Sequence, residues 1–152
     1  MRIIGCGNPE RGDDGAGLLV VCRLRELGIE ALGITTATCP REATRLLGAW
    51  SADDDLILLD TAVTGAPAGT IHHWDGVPTA ANSPSASTHG LGVIHALRLA
   101  YALGRGPRSL RVYGIEGRQF DPGSSLSPQV KESAENLAQQ IRATIQAAHA
   151  PK

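Results

Sequence analysis

The sequence predicts an α/β protein of three layers, α/β/α, built on a twisted and mostly parallel sheet of about five strands with helices on both faces. Three observations predict it. Short apolar runs bounded by Gly, Pro or Asp alternate with stretches of helical period along the whole chain, which is the pattern of a parallel sheet joined by crossover helices. One run, Leu56-Ile57-Leu58-Leu59, is apolar at four successive positions, as in a central strand covered on both faces. The chain also opens as strand, glycine turn and helix, and in an open α/β sheet such a turn lies at the carboxyl end of a strand, where ligands bind.

That opening reads MRIIGCGNPERGDDGAG. Met1 to Ile4 are apolar enough for a strand, Gly5-Cys6-Gly7-Asn8 with Pro9 and Gly12 form a tight loop, and Asp13-Asp14 stand where an apolar helix begins. The loop is not a dinucleotide fingerprint, because the position three after Gly7 is Glu10. It is not a phosphate loop either: Gly7 and Gly12 have the spacing, but Asp13 and Asp14 follow instead of Lys and Ser or Thr. Two carboxylates at a helix N-terminus suit the helix dipole, repel a phosphate and fit a cation or a proton-transfer role. Taken singly, either one reads as a helix cap.

The 152 residues suffice for one domain, spanning 1–152, with a full core. A hydrophobic fraction of 42% and a charged fraction of 19% are ordinary for a globular chain, and a net charge of −1 leaves no footprint for nucleic acid or a membrane surface. With aromatics at 3%, the core has to be made of Ala, Leu, Val and Ile. No apolar run approaches the length of a membrane span. The N-terminus enters a strand without the n-region and h-region of a signal peptide. Cys6, Cys22 and Cys39 are odd in number and form no C-x-x-C pair, so they are expected to be reduced, mostly buried and not a zinc site. These readings place the protein in the cytoplasm.

Gly15 to Leu27 is expected to be a well-buried helix through Leu19, Val20, Cys22, Leu24 and Leu27, ended by Gly28 as a C′ glycine. Residues 29 to 37, with Ile34, Thr35 and Thr36, read as a strand. Pro40 opens a short helix from Arg41 to Ala49. After the polar turn at Ser51–Asp55 comes the central run, which ends in Asp60-Thr61-Ala62. A carboxylate at that end points into the same crevice as the first loop, and taken alone it reads equally as a turn residue. Gly69 to Trp74 reads as an antiparallel or edge strand whose adjacent His72 and His73 face opposite sides, so they do not bind one ion together. Gly76 to Thr88 is a long loop of low apolar content. It delivers Ser87-Thr88-His89-Gly90 to a helix, Leu91 to Leu103, with Ser87 or Thr88 as cap. The dipole at that helix N-terminus holds His89 neutral, with a ring nitrogen available to a metal. His95 reads as a packing or surface residue. Ser109 to Ile115 is the next strand, followed by a loop with Glu116 and Gly117. Ser127 caps the closing helix, with Pro128 at its first position and Val130, Leu137, Ile141 and Ile145 inward.

In this order and spacing, Gly5-x-Gly7-Asn8 with Gly12-Asp13-Asp14-Gly15-x-Gly17, Leu58-Leu59-Asp60, Thr88-His89-Gly90-Leu91, and Gly114-Ile115-Glu116 with Leu126 to Val130 resemble the hydrogenase maturation endopeptidases, the processing proteases of nickel–iron hydrogenases. The resemblance runs from residue 2 to about residue 145. It implies a single α/β/α domain that removes a short C-terminal extension from the hydrogenase large-subunit precursor once nickel has been inserted. The nickel in the precursor serves as the recognition element, and the protease has no permanent cofactor. The family's metal-contacting and catalytic residues fall on Asp14, Asp60 and His89. Asp14 stands where the best-known members often carry Glu, which leaves open which of Asp13 and Asp14 reaches the metal; the alignment favours Asp14, with Asp13 as the cap. Glu116 lines the cleft without a further role. The implied protein is an aspartic-type hydrolase, a monomer, with the precursor as partner and neither nucleic acid nor membrane.

Two carboxylates and an imidazole form an incomplete metal site able to share an ion held mainly by a partner's own ligands. Neither a Ser nucleophile elbow nor an H-E-x-x-H helix is present, and Cys6 as a buried free thiol is a poor nucleophile. A metal-polarised carbonyl and a metal-bound water both remain open as routes to peptide cleavage. A metal-sensing chaperone that binds the loaded precursor without cutting it would use the same three residues. A nucleotide-binding protein is the reading of the glycine loop alone, and the Asp pair speaks against it.

Overall fold

A computed structural model describes residues 1–39, 46–78 and 88–149, with side chains from residue 93 onward in the last segment. The strands are β1 (Arg2–Cys6), β2 (Thr35–Cys39), β3 (Asp55–Ala62), β4 (Ile71–Asp75) and β5 (Ser109–Glu116). The helices are α1 (Ala16–Glu26), α2 (Thr88–Ala102) and α3 (Pro128–Ala148), with single 3-10 turns at Gly12–Gly15 and Ile29–Leu32. The sheet order is β2-β1-β3-β5-β4. The first four strands are parallel and β4 runs antiparallel to β5 at the edge, so the five-stranded, mostly parallel sheet expected from the sequence is the one found.

Alternation along the strands sorts the core into two layers. Ile3, Ile57, Leu59 and Ile115 pack with Val20, Val21 and Leu24 of α1 and with Val130, Leu137, Ile141 and Ile145 of α3. Ile4, Cys6, Leu56, Leu58, Leu110 and Val112 pack on the other face with Ala96, Leu97 and Ala100 of α2, together with Leu46 and Trp50. The inner stripe of α3 is the one the spacing predicts, with Ala134 and Ala138 added to it.

Four local expectations change. The stretch 29–37 is not one strand: Gly28 and Gly33 are both left-handed and bracket a four-residue 3-10 turn, and β2 starts only at Thr35. The strand after Asp54 continues through Asp60, Thr61 and Ala62, because these residues pair with Gly114, Ile115 and Glu116 of β5. Cys22 is exposed, and only Cys6 and Cys39 are buried. Ser127 precedes α3 in extended conformation but makes no side-chain cap. Most of the short helix expected at 41–49, and the loop residues 79–87 with Ser87, lie outside the described residues.

Gly17 sets how closely α1 approaches the sheet. A Cβ there would stand 2.5 Å from the Leu59 carbonyl oxygen and 2.8 Å from that of Cys6. Alanine would gain about 1 kcal/mol of helix propensity, but the contact is with backbone that cannot swing aside, and overpacking of this kind costs about 1–3 kcal/mol. We expect Gly17→Ala to be net destabilising, read as a lower urea midpoint with an unchanged slope. A midpoint at or above the parent's would show that α1 has room to move.

Candidate functional site

The connection leaving β1 runs through α1 to β2 on one side, and the chain leaving β3 runs through β4 and α2 to β5 on the other. Their carboxyl ends, adjacent in the sheet, are therefore the topological switch point, where an α/β sheet opens a crevice. Asp14 sits on the β1 side of it, in the 3-10 turn that leads into α1, and Asp60 sits on the β3 side. Asp14 is 1% exposed and Asp60 8%. The backbone N–H of Asn8 donates to Asp14 Oδ2 at 3.2 Å, and the N–H of Thr61 donates to Asp60 Oδ1 at 2.8 Å, so a main-chain donor orients each carboxylate. Thr61 Oγ1 donates to the Asp13 carbonyl at 2.8 Å and ties the turn before α1 to the end of β3.

Asp60 continues the alternation of Leu56 and Leu58 and so belongs to the α2 face. There it borders a small apolar cleft with Trp74, Pro78, Val93, Ile94 and Val112. Val93 and Ile94 are the sixth and seventh residues of α2, so the second turn of that helix borders the same cleft as Asp60. His89 falls in the first turn of α2, as expected, and its side chain lies outside the described residues. Among the described residues no group of three or more His, Cys, Asp and Glu side chains is arranged to hold a metal ion.

Asp13 is not the cap that the sequence suggested. No side chain caps α1. The Asp13 carboxylate, fully buried, instead accepts four hydrogen bonds from the segment after β5. They come from the backbone N–H of Arg118 at 2.8 Å, of Gln119 at 2.9 Å and of Ser127 at 2.7 Å, and from Ser127 Oγ at 2.8 Å. This explains why Ser127 makes no cap of its own. Burial works to raise the Asp13 pKa, and the bonds from Arg118, Gln119 and Ser127 outweigh it and hold the carboxyl below its ordinary value. With every oxygen engaged from one side, Asp13 is a structural anion and Asp14 is the residue of the pair that remains a candidate ligand.

Glu116 also gains a definite place. It is 2% exposed at the end of β5. It accepts from Thr64 N at 2.8 Å and from Thr64 Oγ1 at 2.6 Å, and it lies 3.1 Å from His72 Nε2. It fixes the loop that leaves Ala62, directly after the segment carrying Asp60. His73 turns the other way and stacks on Tyr113, as alternation requires. Cys6 is register-paired with Cys39. The interaction with the Cys39 thiol, then burial, then the Asp60 charge push its pKa well above the ordinary thiol value, which makes it a poor nucleophile toward a peptide carbonyl.

The sequence model of the hydrogenase maturation protease family matches residues 41–144. The chain belongs to the hydrogenase maturation protease family. The hydrogenase expression/formation protein HupD of Thiocapsa roseopersicina is 29% identical over 135 residues, covering 87% of this chain and 61% of the relative, so the chain spans about three fifths of the length of the curated relative it matches. The fold is that of the hydrogenase maturating endopeptidase HybD from E. coli, at 23% identity with a TM-score of 0.77 over 97% of this chain and 93% of that one. HybD from Thermococcus kodakarensis superposes with a TM-score of 0.73 at 24% identity, over 95% of this chain and 97% of that one. HycI from the same archaeon gives 0.69 at 25%, over 95% and 91%.

Proposed function

We propose that this chain is an endopeptidase that removes the C-terminal extension of a nickel–iron hydrogenase large-subunit precursor, and that Asp14, Asp60 and His89 engage the nickel the precursor carries. Family membership supports the reaction class. The observation that carries the site is the pair of buried carboxylates, each oriented by a backbone N–H, one in the turn before α1 and one near the end of β3, at the switch point. Oriented carboxylates in a nearly dry crevice attract a divalent cation strongly, and three donors leave coordination positions for the substrate's own ligands. Precursor without nickel lacks the bridging contacts, so selectivity is a difference of affinities between the two precursor forms.

In this reading the protease has no resident cofactor and works as a monomer in the cytoplasm. Nickel in the precursor polarises the scissile carbonyl or activates a water, and the Asp14 and Asp60 carboxylates balance its charge and hold the substrate in register. The test is incubation with a large-subunit precursor from the same organism, with and without nickel, read by intact mass. Loss of a C-terminal peptide only from the nickel-loaded sample is the expected result. Nickel-dependent co-elution without any mass change would replace the protease by a chaperone, and cleavage regardless of nickel would remove the metal from the recognition step.

A further inference from the structure

Two buried thiols meet at the carboxyl edge of the sheet, beside the candidate site. Cys6 ends β1 and Cys39 ends β2, and they are direct partners in the parallel ladder. Register-paired residues project to the same face, here the α2 face, where both belong to one core cluster. Adjacent strands lie about 4.8 Å apart, inside the range of about 4.4–6.8 Å between Cα atoms that a disulfide spans. The Cys39 thiol is the largest influence on the Cys6 thiol, and the Asp60 charge also acts on it. Cys39 is 7% exposed and Cys6 3%.

The surroundings link this pair to the catalytic loop. The Cys39 carbonyl accepts from Gly7 N at 3.3 Å, and the next residue, Asn8, donates through its N–H to both the carbonyl oxygen and Oδ2 of Asp14 at 3.2 Å. A change in the separation or tilt of the β1 and β2 ends is therefore passed through Gly7 and Asn8 to the Asp14 carboxylate.

We propose that Cys6 and Cys39 are an oxidation site, a thiol pair that closes to a cross-strand disulfide under peroxide and thereby shifts the loop carrying Asp14. The more exposed Cys39 attacks the peroxide, and the O–O bond breaks to leave a sulfenic acid on Cys39 and one water. Cys6 then attacks that sulfur, the S–O bond breaks, and a second water leaves with the Cys6 proton. Two thiols are oxidised and one hydrogen peroxide is reduced to two waters. The effect on processing rests on the protease reading given above; formation of the disulfide does not.

The experiment uses the full chain carrying Cys22→Ser, which leaves only this pair. After hydrogen peroxide, the expected product is a monomer lighter by two hydrogen atoms, with no thiol titratable in denaturant and a Cys6–Cys39 cross-link in the peptide map, all reversed by dithiothreitol. Two thiols still titratable, oxygen added without loss of hydrogen, or a cross-linked dimer would each overturn the proposal. On nickel-loaded precursor, the oxidised protein should lose most of its processing rate and regain it on reduction, while Cys22→Ser/Cys39→Ser is unaffected by peroxide. A disulfide that forms with processing unchanged would overturn the coupling to Asp14. If neither redox form cleaves the precursor, the protease reading fails and the mass still decides the disulfide.

Discussion

Asp13→Ala is expected to destabilise the fold by about 3–5 kcal/mol, from four donors that lose a charged acceptor together. The Arg118, Gln119 and Ser127 backbone N–H groups and the Ser127 hydroxyl all converge on this carboxylate. Water admitted at the edge of the segment offsets part of the loss, which keeps the figure below the sum of four separate penalties. Asp13→Asn should cost less than Ala but still destabilise, because with its oxygen in the three-donor position its amide nitrogen faces the Ser127 N–H and the charge is lost. The pH dependence has a definite sign. The folded pKa is depressed, so this stabilisation is complete above the ordinary value of 3.8 and is lost as pH falls through the lower folded value. Urea titrations between neutral pH and pH 3 should show a steeper acid loss in the parent chain than in Asp13→Asn. Equal acid slopes for the two would mean that the carboxylate is not the anchor the geometry describes.

The role of Asp13 also marks where the sequence stops being informative. Its three partner residues lie more than 100 positions further on, so a helix-start pattern is all that local spacing reveals, and that pattern suggests a cap. Ser127 misleads for the same reason: a Ser before Pro128 has the form of a cap, but its hydroxyl is taken by Asp13. The central strand is legible because Leu56 to Leu59 are buried on both faces. Its polar extension through Asp60 is set by pairing with β5, which no single segment encodes. The 3-10 turn at Ile29–Leu32 had a local signal, the two left-handed glycines Gly28 and Gly33. Threonine-rich β character in the residues that follow concealed it. The odd cysteine count hid Cys6 and Cys39, whose pairing exists only in the register of β1 on β2. Glu116 was visible at a strand end, but its purpose depends on Thr64 and His72 arriving from two other segments. The glycine loop and Asp60 could be located beforehand because the parallel topology alone brings the ends of β1 and β3 together.

Asp14→Asn and Asp60→Asn should give the opposite profile to Asp13. In each, one side-chain oxygen can still accept the backbone N–H that now orients it, from Asn8 for residue 14 and from Thr61 for residue 60. Asn keeps the shape of the side chain as well as that bond, so the loss of stability should be clearly smaller than at Asp13. Under the proposed function, what disappears is one unit of negative charge directed at the nickel of the precursor. Lewis-acid positioning of this kind is worth several kcal/mol in the transition state, so each variant should process nickel-loaded precursor at least about 100-fold more slowly. The two effects need not add if, as proposed, both side chains act on one ion, and the double variant should then be little worse than either single one. Single-turnover processing rates, measured beside urea midpoints on the same preparations, separate the possibilities. Slow processing at parental stability supports a site made by residues 14 and 60. Parental rates in both variants would take the metal-engaging role away from the switch point. Slow processing accompanied by a large loss of stability would place Asp14 and Asp60 with Asp13 among the residues that hold the loops together.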